Sequence, residues 1–309
     1  MAAKLFDSEE IVYRLIRALL RVMGEMPFSW TVPAGNLCGD LWFALDRHHR
    51  QVALQNLYQA FGREKSDREL QQLARRVFRN LGRIIFEVAW STRIDLKQFR
   101  RYATTTGLGN YRRAIAKGRG VLLMTAHLAN WELLVFFAAV TNNPISIVYR
   151  RLDFKPLDRF FRKFRSRFGA RMIRNSHAMR PIMRRLRAGD GIAVLLDQNV
   201  DWYEGVFVDF FGRRACTNMG LALLALRTGA PVLPVLVTRT AGGFITDFGP
   251  EISLIKTGDK IRDVEVNTQR YNQVLEDFIR RHPDQWMWVH RRWKTRPYQP
   301  WPRSSEKEG

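Results

Sequence analysis

The sequence predicts an α/β fold with a mostly parallel central sheet buried on both faces and flanked by helices. Three observations carry that expectation. Short apolar segments bounded by turn residues recur: GVLLMTA (120–126), ISIVY (145–149), GIAVLLD (191–197) and APVLPVLVT (230–238). Stretches with helical patterning separate them, near 131–140, 156–168, 178–188 and 218–228. The strands are apolar at nearly every position rather than alternating, as strands covered on both sides are.

Taken in order, SEEIVYRLIRALLRVMG (8–24) opens near a capping pattern, with Ser8 and Glu10, and places Ile11, Leu15, Leu19 and Val22 at helical spacing. Arg14, Arg17 and Arg21 form another stripe. Such a basic amphipathic helix either lies in a bilayer interface or packs on the domain with a solvated basic face. PFSWTVPAGNLCGDLWFAL (27–45) is aromatic and interrupted by Pro and Gly, so it reads as a membrane-proximal element rather than a regular core helix. The clearest helix is Ser66 to Trp90. Ser66 and Glu69 make a capping box, and Leu70, Leu73, Val77, Leu81, Ile84 and Val88 follow in steps of three and four. GLALLALRTGAPVLPVLV (220–237) carries Arg227 and is broken by Gly229 and Pro231, so it reads as a helix turning into a buried strand. GGFITDF (242–248) adds an edge strand, and 263–281 a closing helix. The expected division is a membrane-associating helical region over 1–60, an α/β domain over 61–302 and a disordered tail over 303–309.

Composition narrows the function. Of 309 residues, 46% are hydrophobic, which excludes global disorder. Lys and Arg number 51 against 29 Asp and Glu, a net charge of +22 that calls for an anionic partner: nucleic acid, an anionic bilayer, or an acidic protein or phosphorylated substrate. Nine Trp add a leaning toward membrane interfaces. Cys38 and Cys216 form neither a disulfide framework nor a metal spacing, in keeping with a reducing cytosolic setting. His177, His282 and His290 read as surface or core histidines, with no pair at metal spacing. The N-terminus MAAKLFDSEE is acidic where a secretory signal needs basic residues, so no signal peptide is expected.

TAHLANWE (125–132) carries the chemistry. A His-x4-acid spacing arises by chance about half a time in such a chain, so its position must decide. On one continuous helix His127 and Glu132 would stand roughly 140° apart. The stretch instead straddles a strand-to-helix joint, with Asn130 a natural N-cap, and the carboxyl ends of strands are where open α/β sheets bind ligands. A loop there lets the Glu132 carboxylate fold back onto the imidazole and fix its tautomer. The alternative is a joint histidine and a glutamate favouring the helix dipole. With no G-x-S-x-G and no cysteine motif, the nucleophile would be a hydroxyl of the substrate.

MTAHLANWELL (124–134) resembles the first motif of the lysophospholipid acyltransferase superfamily, in its bacterial lipid A acyltransferase branch. IVYRRLDFKPLDRFFRKFRSRFG (147–169) resembles the second block of that branch. GIAVLLDQNVDWYEGVFVDFFGRRACTNMGLALLALRTGAPVLPVLVTR (191–239) resembles the third and fourth, and HPDQWMWVHRRWKTRP (282–297) the closing segment. The similarity covers most of 35–298. It implies a glycerolipid acyltransferase-like fold and transfer of a fatty acyl chain from an acyl thioester, on acyl carrier protein or coenzyme A, to a lipid A precursor hydroxyl. Another glycolipid, such as an acylated phosphatidylinositol mannoside, or another aminolipid, is the second acceptor. It further implies His127 as general base, Glu132 orienting it, no metal, no bound cofactor, and a place on the cytoplasmic face of the inner membrane. Arg150 would contact a phosphate or the acyl donor, or else form a surface ion pair. Asp197 and Gln198 would shape the substrate site, or merely end a strand. Phe211, Gly212 and Arg213 would bind the acceptor or support its pocket, with packing by Phe210 and Phe211 the rival reading. Pro231 and Pro234 would shape their strand. Members of the branch usually carry a clearer N-terminal transmembrane helix than this chain shows, which favours an interfacial helix with a basic skirt. Anionic lipid, the glycolipid acceptor and acyl carrier protein are the expected partners. Nucleic acid is not, for want of any helix-turn-helix, RRM or zinc-finger signature.

Overall fold

The computed structural model describes residues 8–141 and 143–297. Four helices come first: α1 (Ser8–Gly24), α2 (Phe28–Leu45), α3 (Arg47–Phe61) and α4 (Asp67–Ser91). α4 begins as its sequence foretells, with Ser66 Oγ accepting from the Glu69 N–H and Glu69 Oε2 accepting from the Ser66 N–H. The alternation follows: α5 (Leu96–Phe99), β1 (Ala103–Thr106), α6 (Leu108–Ile115), β2 (Val121–Thr125), α7 (Val135–Val140), β3 (Ile145–Tyr149), α8 (Lys155–Arg165), β4 (Arg171–Arg174), α9 (Met179–Arg187) and β5 (Gly191–Leu195). Then come a hairpin of β6 (Gly205–Phe210) and β7 (Arg213–Asn218), α10 (Gly220–Thr228), β8 (Val232–Arg239), β9 (Phe244–Phe248) and α11 (Lys260–Arg281).

The seven-stranded sheet runs β1-β9-β8-β2-β5-β3-β4. β8, β2, β5, β3 and β4 are mutually parallel; β9 is antiparallel to β8 and carries β1 parallel on its outer side. Successive β2 residues feed opposite cores, which explains its unbroken apolar run. Leu122 and Met124 join Leu73, Val77, Leu224 and Leu275 on one face, while Val121 and Leu123 join Phe99, Phe136 and Phe160 on the other.

Three expectations need correction. Residues 28–45 form a continuous helix despite the internal Pro33, because its glycines serve close approach rather than breakage. A Cβ on Gly35 would lie 2.5 Å from Arg83 Cα, and one on Gly39 2.3 Å from Phe78 O, so only glycine lets α2 seat on α4. β9 is not an edge strand, since β1 covers it. The 191–197 strand stops at Leu195, leaving Asp197 in the following loop. Among the described residues no helix is long and apolar enough to cross a membrane. The tail expected over 303–309 lies outside the described residues.

Candidate active site

β2 and β5 are adjacent and parallel, with Thr125 opposite Leu195. Two residues beyond each strand, the same register brings His127 to Asp197. His127 Nδ1 lies 2.9 Å from Asp197 Oδ1, and the His127 backbone N–H donates to Oδ2 at 2.9 Å. The Trp286 indole N–H completes the set with a 2.7 Å bond to Oδ2. The carboxylate is 1% exposed and the imidazole 16%. Burial alone would raise the Asp197 carboxyl, but His127 beside it and these donors hold it at about 2. Asp197 therefore stays ionised and accepts a hydrogen bond from Nδ1–H, leaving the Nε2 lone pair without a partner among the described residues.

The loop between them is clamped from behind. The Met287 N–H donates to His127 O at 3.1 Å, and the Ala129 N–H donates to Gln285 O at 2.8 Å. Ala129 has φ of 48°, a left-handed conformation costing a non-glycine residue about 1–2 kcal/mol, which these bonds hold in place. Asn130 is an N-cap by position only. Its side chain makes no cap bond and instead donates to Glu87 Oε2 at 2.9 Å. Glu87 is held by Arg239, at the end of β8, through bonds of 2.6 and 2.8 Å, with both side chains almost fully buried.

Glu132 does not meet the imidazole. Its carboxylate forms a buried bidentate pair with Arg165 of α8, at 2.8 and 2.5 Å, and accepts the Trp131 indole N–H at 3.1 Å. Burial works against the Arg165 charge, yet Glu132 outweighs it and raises the guanidinium pKa. The expected orienting contact fails because Trp131–Leu134 is a tight 3₁₀ turn that points Glu132 toward α8. The Trp131 ring, whose indole N–H Glu132 accepts, packs edge-on against the imidazole, centroids 4.8 Å apart. The acid that touches His127 is Asp197.

The other expected residues divide. Gln198 follows Asp197, half-buried, with no side-chain hydrogen bond among the described residues. Arg150, after β3 on the same sheet edge, is 77% exposed and 3.6 Å from Asp153, a loose surface pair. Phe211 and Gly212, with φ of 53° and 69°, form the two-residue turn of the β6–β7 hairpin, the backbone that a tight hairpin requires. Phe211 is buried against Phe61 and Trp288, and its N–H donates to Glu276. Two ring routes link this turn to Trp286, the donor to Asp197: Phe211 through Phe210, and Phe211 through Trp288. Among the described residues no group of three His, Cys, Asp or Glu side chains is placed to hold a metal ion.

A histidine–carboxylate pair on a parallel-sheet edge fits several chemistries, and similarity to known proteins narrows them. The bacterial lipid A biosynthesis acyltransferase family model matches residues 5–295. The chain belongs to that family. The palmitoleoyltransferase of lipid A biosynthesis from Escherichia coli K12 is 25% identical over 276 residues, covering 88% of each chain. The lauroyltransferase of the same pathway and strain is 25% identical over 283 residues, covering 90% of each. A phosphatidylinositol mannoside acyltransferase of Mycobacterium tuberculosis H37Rv is 26% identical over 191 residues, 60% of this chain and 58% of the relative. As a member of this family the chain is an acyl-transferring enzyme. TAHLANWE therefore sits in an acyltransferase, with its histidine backed by Asp197, its glutamate by Arg165 and its asparagine by Glu87. The sequence reading assigned none of Trp131, Arg165, Trp286, Glu87 and Arg239 to the site; Trp286 reads there, with Trp288 and Trp293, as an interfacial belt or core packing. Trp131, Arg165, Trp286 and Arg239 lay within segments quoted there and Glu87 within the Ser66–Trp90 helix, but no spacing tied any of them to the imidazole.

Proposed function

We propose that this family member transfers a fatty acyl chain from an acyl thioester to a hydroxyl of a lipid A precursor, with His127 as general base. The observation that carries the reading is the His127–Asp197 pair, with Nε2 unpartnered among the described residues at the edge where parallel sheets take their ligands. His127 Nε2 accepts the proton of the acceptor hydroxyl as its oxygen attacks the thioester carbonyl. Asp197 stabilises the imidazolium. Collapse of the tetrahedral intermediate breaks the C–S bond, and the proton passes from His127 to the departing thiolate. An ester and a thiol result, with no acyl-enzyme. No described Ser, Thr or Cys side chain bonds to His127, and Cys216 is buried with its thiol pKa pushed up by burial, so the substrate supplies the nucleophile. Glu132 and Arg165 act as positioning residues through Trp131. Acyl carrier protein and coenzyme A offer the same thioester, and a phosphatidylinositol mannoside-like acceptor is the second reading, favoured by the mycobacterial relatives.

Attachment to the cytoplasmic face of a membrane is part of this reading. Ile11, Leu15, Leu19 and Val22 form an exposed apolar stripe along α1, and Trp30, Leu37, Leu41 and Leu45 another along α2. α2 buries Thr31, Gly35 and Gly39 and exposes its leucines, the reverse of a helix built for water. Arg14, Arg17 and Arg21 beside the α1 stripe suit anionic headgroups. The deciding experiment is mass spectrometry of total lipids from cells with and without the protein, and with His127→Ala. The expected result is an acyl addition to a lipid A precursor that the variant lacks. Equal acylation by the variant, or no added acyl mass with wild type, overturns the mechanism.

A further inference from the structure

A second concavity lies apart from His127, at the tip of the β6–β7 hairpin. It has a volume of about 1190 Å³ and is walled by the end of α3, the Phe211–Arg214 turn, Arg280 of α11 and the segment Trp293–Pro297. Five arginines line it against one acid, Glu64. Arg280 is spoken for: Glu64 and Glu276 bind it, and its guanidinium packs on the Phe61 and Phe211 rings. Arg214 stands 3.9 Å from Asp209. Arg63, Arg213 and Arg296 have no ion pair among the described residues.

Like charges gathered around a concave surface repel one another, so an unpaired trio is stable there only when solvated or neutralised by an anion. The concavity has the size of a small-ligand pocket rather than the flat face of a protein interface.

We propose that this cleft is a phosphate-binding site, with Arg63, Arg213 and Arg296 as the charged ligands of a phosphoryl group. Guanidinium forks match phosphate oxygens in a bidentate manner, and a concave array of them selects a phosphate over a dispersed carboxylate surface. The phosphoryl group belongs either to a lipid headgroup reached at the bilayer or to a soluble phosphorylated compound. The cleft also adjoins the chain that carries the dyad. Thr295 on its wall accepts from the Asn199 side chain at 2.9 Å, two residues beyond Asp197, and Trp293 packs on Phe210, which packs on Trp286. The inference does not depend on the role of His127, because its readout is binding.

The test is calorimetric titration of the full chain with inorganic pyrophosphate, and flotation with phosphatidylcholine vesicles with and without phosphatidic acid. Wild type is compared with Arg63→Gln, Arg213→Gln, Arg296→Gln and the triple variant. These side chains are exposed and unpaired, so the variants should fold, and equal thermal midpoints would verify it. The expected result is saturable pyrophosphate binding that each single variant weakens about tenfold and the triple variant abolishes, with the affinity falling as salt rises. Displacement of pyrophosphate by phosphatidic acid vesicles would assign the phosphate to a lipid headgroup, and its absence to a soluble compound. Absence of saturable pyrophosphate and phosphatidate binding overturns the proposal, as does binding indifferent to the triple variant. So does a triple variant that loses only the binding of an acidic carrier protein.

Discussion

Replacing Asp197 by asparagine preserves shape and removes one charge, so its effect isolates what the carboxylate does for His127. In the structure Oδ2 takes two donors, the His127 N–H and the Trp286 indole, while Oδ1 faces Nδ1. The asparagine oxygen would keep the two donors, turning its amide NH2 toward Nδ1. Nδ1 must then accept, the ring proton moves to Nε2, and the base loses its lone pair. The charge matters as well. A 2.9 Å Nδ1–Oδ1 contact sets the charge centres about 4 Å apart, where an effective dielectric of about 20 gives about 4 kcal/mol of imidazolium stabilisation. Losing it lowers kcat/KM by about a thousandfold, and the tautomer change adds to that. The assay is transfer of labelled acyl chain from an acyl thioester to a lipid A precursor in micelles, with the thermal midpoint as a check on folding. If Asp197→Asn stays within about threefold of wild type, the dyad is not the base that the reasoning requires.

Other perturbations separate position from chemistry. Glu132→Gln leaves the Arg165 guanidinium buried and unpaired, so it should cost about 3–5 kcal/mol in a urea titration. The double variant with Arg165→Met should recover much of that stability without recovering activity. The His290 Nε2 accepts the Asn199 N–H at 2.7 Å, and burial depresses its pKa to about 4. A histidine held neutral in the fold binds its proton more readily when unfolded. Stability from this site is therefore complete above the ordinary value of 6.5 and falls as pH drops toward about 4, a decline that His290→Gln should flatten in pH-dependent thermal melts. Leu15→Glu with Leu19→Glu should abolish flotation with anionic vesicles while leaving the thermal midpoint within a few degrees, since both side chains are exposed. Retained flotation would remove α1 from the membrane reading.

Legibility followed the range of the forces involved. The parallel strands were readable because burial on both faces writes itself as an unbroken apolar run, and α4 because its cap and apolar stripe are local. β1 and β4 were not, since ATTT and RMIR owe their conformation to β9 and β3 alongside rather than to their own residues. α2 misled because glycine in a sequence marks either a break or a close approach, and only the position of α4 tells which. In the site, His127 and the placement of Asp197 at the same sheet edge were legible. The pairing was not. Glu132 is near in sequence and Asp197 is 70 residues away, but strand register, invisible to spacing, brings the distant acid to the imidazole.

Three acid–base pairs converge on this loop, and each ties it to a different part of the fold: Asp197 to β5, Glu132 with Arg165 to α8, and Glu87 with Arg239 to α4 and β8. Buried ion pairs are poor sources of stability, because desolvation consumes most of what the charges gain. Apolar residues of similar volume would hold the same elements together as well. What the pairs supply is direction, since a hydrogen-bonded carboxylate fixes angles that an apolar contact leaves free. Asn130, Glu132 and Nδ1 of His127 are all engaged in this way, so the loop has little freedom to rotate. Among the described residues Nε2 alone of the imidazole's polar atoms stays unengaged. A base that must meet a hydroxyl within hydrogen-bond reach gains its rate from such fixed geometry. In the proposed mechanism the glutamate of TAHLANWE would therefore act through geometry, by keeping Trp131 against the ring, rather than through the proton.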